Sequence, residues 1–277
     1  MIKFTFIFFY IVFTSCFNLK FQEKNITSNQ WQGQKISLAK LGKKYKRHYR
    51  FNKMLSKFSS NKFLPYYKFI DKNFKIIGSY DSQKQNYLII KDKKQRLFKF
   101  HLKKDVLPSF IVFEKTLENA KNLIGETIWL NDVFDKDNFL TDFPKSFIPF
   151  QNVYVQDVVS FQNSDEGHPI WLKVSAKNGE DAIVRYNIQG KRVGIKDHYF
   201  KTDPLPKSLG NELRKKIKNR KAYIGMTSRQ VQIALGYPEK IINTSSRHGV
   251  SEQWMYLLKN KNIYYQFEYD TLIYINN

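Results

Sequence analysis

Ile224-Gly225-Met226-Thr227-Ser228-Arg229-Gln230-Val231, continued by Ala234-Leu235-Gly236 and Pro238, sets the architecture of the C-terminal quarter. Thr227 three residues ahead of Gln230 is a capping box: the hydroxyl accepts from the Gln230 amide, and the Gln230 side chain reaches back. The helix that follows puts Val231, Ala234 and Leu235 on one face. Gly236 supplies the left-handed position after the last turn, and Pro238 forbids continuation. Residues 241–249 read as a polar loop. Two alternating runs follow, 252–257 and 263–269, separated by 259–262, which is the pattern of a hairpin. Asp270 and Thr271 turn the chain into a last short strand over 272–275. Upstream, residues 202–206 form a linker. Residues 208–220 then make an amphipathic helix with Leu209, Leu213 and Ile217 inward and Arg214, Lys215, Lys216 and Lys218 outward.

Taken together, Gly225-Met226-Thr227, Gln230-Val231, Ala234-Leu235-Gly236, Pro238, Gly249-Val250-Ser251-Glu252-Gln253-Trp254-Met255-Tyr256 and Tyr265-Gln266-Phe267 resemble the SmpA/OmlA (BamE-like) lipoprotein domain. The resemblance covers residues 205–275, about a quarter of the 277-residue chain. It implies a two-helix, three-strand fold, a place on the periplasmic face of a bacterial outer membrane, and a part in assembling β-barrel proteins there. The chain departs from the family in two ways. Asp270-Thr271 stands where a strand-ending Gly is usual, and about 200 residues precede the domain. From the residues alone, Gly225, Gly236 and Pro238 are chain punctuation, Met226, Thr227 and Gln230 belong to the helix start, and Val231, Leu235, Trp254, Tyr256 and Phe267 are core. These motif residues are therefore structural. Recognition by this domain would use an exposed aromatic such as Tyr237, or residues 244–248.

The chain is long enough for two or three small domains. Its net charge is +23, with lysine, asparagine, isoleucine, phenylalanine and tyrosine all abundant, a richness that a biased genome also produces. The charge is uneven. Residues 20–104 carry 23 Lys/Arg against 4 Asp/Glu, residues 105–204 carry 11 against 15, and residues 205–277 carry 12 against 5. The basicity thus belongs to the N-terminal third. The one cysteine, Cys16, excludes an internal disulfide and a zinc site built on several cysteines.

Lys3 is a short positive region, and residues 4–13 are an apolar run too short to span a bilayer comfortably. Thr14-Ser15-Cys16 ends it. Small residues before a cysteine, directly after such a run, resemble a lipobox: residues 1–15 would be a cleaved signal peptide and Cys16 the lipid attachment site. Phe13-Thr14 departs from the Leu and small residue that are usual there. The alternatives are an ordinary signal peptide with an incidental cysteine and an uncleaved anchor. Acylation at Cys16 would place the mature chain in the cell envelope, membrane-tethered outside the cytoplasm. Phe17 rather than Asp after the cysteine resembles the sorting pattern that favours the outer membrane.

Residues 16–39 read as a tether, polar and without periodicity. A basic β-rich module (40–113) and a second β-rich module (114–203) follow, with the last domain at 204–277. Lys43, Lys44, Lys46, Arg47 and Arg50 form the densest basic segment, interleaved with Tyr45, Tyr49 and Phe51. In a cytosolic chain that mixture would suggest nucleic acid. An export signal argues for no nucleic acid, and for anionic lipid or polysaccharide as the partner instead; the competing reading is a solvated charge run. Alternation at 74–102 suggests three or more strands with turns at Gly78-Ser79 and at 91–94. A similar rhythm over 153–186 has turns at 164–167 and 177–180, where Asn178-Gly179 is a strong hairpin signal. By pattern alone residues 62–113 of the first module and 124–201 of the second are analogous to SH3-like barrels, with a short helix over 114–123 between these two stretches. The expected fold class is accordingly α+β: a C-terminal two-helix, three-strand domain preceded by mainly-β modules.

No enzyme signature appears. The five histidines are scattered, the acidic run 132–137 lacks the spacing of a calcium loop, and there is neither a phosphate-cradling glycine loop nor a nucleophile elbow. No cofactor or metal is indicated. The sequence leads to two readings. One is a lipid-anchored binding or scaffold subunit docked on another envelope protein, contributing to outer-membrane protein assembly or envelope integrity. The other is a binder of anionic cell-wall or surface polymers through the SH3-like modules and the basic N-terminal third.

Overall fold

A computed structural model describes residues 25–42, 54–82, 85–102, 106–133, 147–162, 168–187, 192–246, 249–258 and 260–276. The described residues are mostly β, with 47% of them in strands, and this overturns the α+β expectation. Among the described residues there are three α-helices of eight residues each. The strands assemble into sheets of seven, six and four strands, antiparallel except where β2 joins the six-stranded one, and larger than the small SH3-like barrels expected. The contacts divide the chain into two units, residues 1–122 with 159–170, and residues 123–158 with 171–277.

In the first unit the strands are β1 (Lys35–Leu38), β2 (Lys40–Leu41), β3 (Leu55–Lys57), β4 (Phe63–Leu64), β5 (Asn73–Ser82), β6 (Gln85–Asp92), β7 (Leu97–Leu102) and β8 (Ile111–Phe113), followed by helix α1 (Glu114–Lys121). The sheet order is β4-β3-β7-β6-β5-β1-β8, so β1, inside the stretch read as a tether, is an interior strand. Its Ile36 and Leu38 are buried, which a two-residue period allows in an otherwise polar segment. Alternation is clearest in β7, where Phe98, Phe100 and Leu102 point inward and Leu97, Lys99 and His101 do not. The inward rings pack edge to face, Phe69 on Phe98 at 5.3 Å and Tyr66 on Phe110 at 5.0 Å. The Tyr66 hydroxyl donates to the Ala39 carbonyl at 2.6 Å, and burial pushes its pKa far up.

Gly78-Ser79 is not a turn. Both residues lie within β5, at a register shift: Ile76 faces Ile90 of β6 while Gly78 faces Ile89, leaving Ile77 as the extra residue of a bulge. The physical need for glycine is close approach. Thr27 and Ser79 exchange two backbone hydrogen bonds of 2.8 Å, and a Cβ on Gly78 would sit 2.2 Å from the Thr27 carbonyl oxygen. The Asp92 turn does fall at the end of β6. Its carboxylate accepts from the Lys94 and Arg96 amides at 3.0 and 2.9 Å and pairs with the Arg96 guanidinium.

The second unit begins with β9 (Thr127–Leu130), β10 (Asn152–Gln162), β11 (Ile170–Ser175), β12 (Asp181–Arg185) and β13 (Tyr199–Phe200) in the order β12-β11-β10-β9-β13. The last residues of β10 belong to the first unit, where Phe161 and Gln162 pair in parallel with Lys40 and Leu41 of β2. Asn178-Gly179 joins β11 to β12, with Gly179 at φ 80° and the Asn178 side chain accepting from the Glu180 amide.

Helices α2 (Asn211–Lys218) and α3 (Ser228–Leu235) and strands β14 (Lys240–Ser246), β15 (Gly249–Leu258), β16 (Lys261–Glu268) and β17 (Thr271–Asn276) complete this unit. The capping box is present: Gln230 donates its amide to Thr227 Oγ1 at 3.3 Å, and the Thr227 amide donates to Gln230 Oε1 at 2.9 Å. The sheet is a four-strand meander, β14-β15-β16-β17, where three strands were expected. The extra strand is β14, which lies in the segment read as a polar loop. As an edge strand it needs backbone pairing on one side only, so Asn243, Thr244, Ser245 and Ser246 do not prevent it from pairing with β15 over seven positions. The helices and this sheet share one core with Phe200 of β13 and with Phe150 and Leu205 from the segments flanking the β9–β13 sheet, which cluster with Ile217, Val231, Trp254, Tyr256 and Phe267.

The bulge yields a prediction. Gly78→Ala will lower folding stability by about 1–3 kcal/mol, because the displaced neighbour is backbone and cannot rotate away. A urea titration of the variant against the parent chain will show this as a lower midpoint.

Candidate functional site

Cys16, Lys43, Lys44, Lys46, Arg47 and Arg50 lie outside the described residues. The C-terminal motif residues are framework. Gly225 takes φ 91° and donates its amide to the Leu272 carbonyl at 2.8 Å. Met226, Trp254, Tyr256 and Phe267 are buried, Leu235 is half-buried against the same core, and the Tyr256 hydroxyl donates to the Gly236 carbonyl at 3.0 Å. Pro238 is buried, and its carbonyl accepts from Gly194. Tyr237, expected as an exposed recognition aromatic, is half-buried instead, with its hydroxyl in contact with Arg192 and Asp197.

Three lysines share one row of the first sheet. Lys35 of β1 lies opposite Lys75 of β5, and Lys75 lies opposite Lys91 of β6. Directly paired residues project from the same face, so this row puts three ammonium groups side by side on the face opposite the Phe74, Ile76 and Phe98 core. Lys35 is paired with Glu114 at 3.2 Å. Among the described residues Lys75 and Lys91 make no ion pair. Like charges directly opposite across two strands oppose sheet formation by up to about 1 kcal/mol, which an added anion reverses.

Lys99 of β7 stands on the same face one row on, opposite Ile89. Its ammonium donates to Asn61 Oδ1 at 2.7 Å and lies 5.4 Å from the Tyr87 ring centre, and burial lowers its pKa. Tyr87 in turn contacts Tyr80 and His101. The result is a basic face edged by aromatic rings. Composition alone pointed to the dense run after residue 40. The row at 35, 75 and 91 carries no linear signal, because strand register alone brings these residues together.

The second unit contains a polar network around Asn131, which is 1% exposed. Arg220, held at φ 55° just beyond α2, donates to Asn131 Oδ1 at 2.7 Å, to the Asn131 carbonyl at 2.5 Å and to the Ile233 carbonyl at 3.2 Å. Its guanidinium lies 4.6 Å from the Phe150 ring centre. Burial pulls the Arg220 pKa down, against the charge of Asp132. The Asn131 amide donates to the Asp197 carbonyl at 2.7 Å, and the Asp197 carboxylate pairs with Arg192 and accepts from Tyr237. Burial raises the Asp197 pKa above the usual carboxylate range, although Arg192, Tyr237 and Arg229 act in the opposite direction. These groups satisfy one another, and the network serves to fix α2 and α3 against β9.

A groove of about 210 Å³ lies on the outer side of β9, β10 and β11. Thr127, Asn152, Tyr154, Gln156, Ser175 and Lys177 bring polar groups to it, and Val153 and Ala176 complete its lining. No group of three or more His, Cys, Asp or Glu side chains among the described residues is arranged to hold a metal. No described helix is long and apolar enough to cross a membrane. No family model, no curated protein and no solved structure matches this chain.

Removing Arg220 separates support from recognition. Arg220→Ala leaves the buried Asn131 side chain and carbonyl without their donors and will cost about 1–3 kcal/mol. Chemical denaturation of the variant will show the loss.

Proposed function

We propose that the chain is an exported, lipid-anchored protein of the cell envelope that binds an anionic polysaccharide through the basic face of its first unit. The observation that carries this reading is the Lys75–Lys91 pair, two like charges held opposite each other without an acidic partner among the described residues. A polyanion spanning such a row neutralises both ammonium groups at once, and the neighbouring Tyr87 and Tyr80 rings offer apolar contact beside the charges. The apolar run before Cys16 and the +23 net charge support a tether close to an anionic surface.

A second reading, a scaffold for another envelope protein, is favoured by a different face. On the C-terminal sheet Leu257 and Tyr274 are 53% and 58% exposed on the side away from Trp254 and Phe267, with Met255 and Tyr264 between them. Capture of one envelope protein at stoichiometric yield, lost in Leu257→Glu/Tyr274→Glu, would favour it.

Two variants test the first reading. Cys16→Ser will release the chain from the membrane fraction and remove a lipid-sized mass increment. Lys75→Glu/Lys91→Glu will weaken capture by an immobilised polyuronate by at least about tenfold, from about 1 kcal/mol for each lysine facing an anionic surface. Raised salt will weaken capture of the parent chain as well. Capture that is indifferent to both salt and the double variant excludes the basic face as the site, and equal binding to anionic lipid vesicles alone assigns it to a membrane.

A further inference from the structure

We infer that the groove beside Tyr154 is a subsite for a single acidic sugar residue. The inference rests on the reading of the chain as a polysaccharide binder and names what the second unit recognises. β10 alternates strictly here. Val153 and Val155 are 2% and 0% exposed and face the core, so Asn152, Tyr154 and Gln156 project to the opposite side. Thr127 of β9 lies directly opposite Tyr154. Ser175 ends β11, and Lys177 opens the turn after it.

Tyr154 is 49% exposed on an interior strand, with two amides, two hydroxyls and one ammonium around it. Among the described residues none of these six side chains has a hydrogen-bond or ion-pair partner of its own. Nearby Lys173 is already held by Asp157 at 3.3 Å, which leaves Lys177 as the uncompensated charge at the rim.

The chemistry selects among ligands. A pyranose ring has an apolar C–H face that stacks on an exposed aromatic ring, and adjacent hydroxyls that donate to and accept from amides and hydroxyls. The ammonium of Lys177 adds a partner for a sugar carboxylate. A peptide would dock here by strand addition only if a backbone edge were open. β10 has β9 on one side and β11 on the other, so its N–H and C=O groups are taken. At about 210 Å³ the groove is smaller than the sites that enclose drug-sized molecules, and it suits one ring of a chain that continues past an open rim.

The test uses the full-length chain in detergent with tetragalacturonate as the acidic probe and maltotetraose as the neutral one, followed by titration calorimetry. Tetragalacturonate is expected to bind and maltotetraose to bind at least about tenfold more weakly, the difference one charge-assisted contact supplies. Tyr154→Ala will weaken tetragalacturonate by about tenfold, and Tyr154→Trp will retain it. Lys177→Gln will erase the preference for the acidic probe. Tyr154 is exposed, so these variants fold, and coincident thermal melts verify this.

Absence of tetragalacturonate binding, equal affinity for the two probes, or unchanged affinity in Tyr154→Ala overturns the inference. If wild type fails to bind the tetramer while polyuronate capture still depends on Lys75 and Lys91, the groove falls and the basic face stands. Tetramer binding through Tyr154, with capture unchanged in Lys75→Glu/Lys91→Glu, upholds the groove and removes the basic face.

Discussion

The register of β5 against its two neighbours is the constraint on which the first unit depends. β1 pairs with its first half, and Thr27 bonds to Ser79 beyond the bulge. Between them Ile77 is the extra residue that lets Ile76 face the core and still brings Gly78 against Ile89. Side chains alternate with period two, so a one-residue slip would turn Phe74 and Ile76 to water and bury Lys75. The same register that protects the aromatic core therefore creates the lysine row.

The second unit is held differently. Its C-terminal helices and sheet share a core with Phe150, Phe200 and Leu205, and beside that core Arg220 and Asn131 bond across 89 residues of sequence. A buried guanidinium is costly unless its donors are used, and here the carbonyls of Asn131 and Ile233 and the Asn131 side chain take them. Apolar area supplies cohesion, while directional bonds to β9 fix how α2 and α3 lie on it. The division of labour explains why the motif residues from Gly225 to Phe267 serve as framework and leave recognition to the surface.

Local chemistry was legible in the sequence, and pairing was not. Thr227 with Gln230, Gly236 before Pro238, and Asn178-Gly179 each act through neighbours a few residues away, and each appears where its residue types require. β14 was hidden because an edge strand tolerates the polar residues that also mark a loop, and that one strand changes a three-strand unit into a four-strand meander. β1 was hidden because four residues are too few to display a period within a polar stretch. Gly78 signalled a turn because glycine has the same appearance whether it reverses the chain or admits a neighbouring backbone. Lys35, Lys75 and Lys91, like Thr127, Tyr154 and Ser175, are brought together by hydrogen-bonded ladders that no spacing rule encodes.

The edges of the C-terminal sheet have a further consequence. β14 ends in the polar run Asn243-Thr244-Ser245-Ser246, and β17 is offset by a bulge opposite Gln266 and Phe267. At the turn before β17, Tyr269 and Asp270 take φ values of 46° and 64°. The polar end of β14 and the bulge in β17 interrupt the long regular ladder that templates growth of one sheet onto another. Interrupted borders of this kind disfavour edge-to-edge joining of two copies of the sheet.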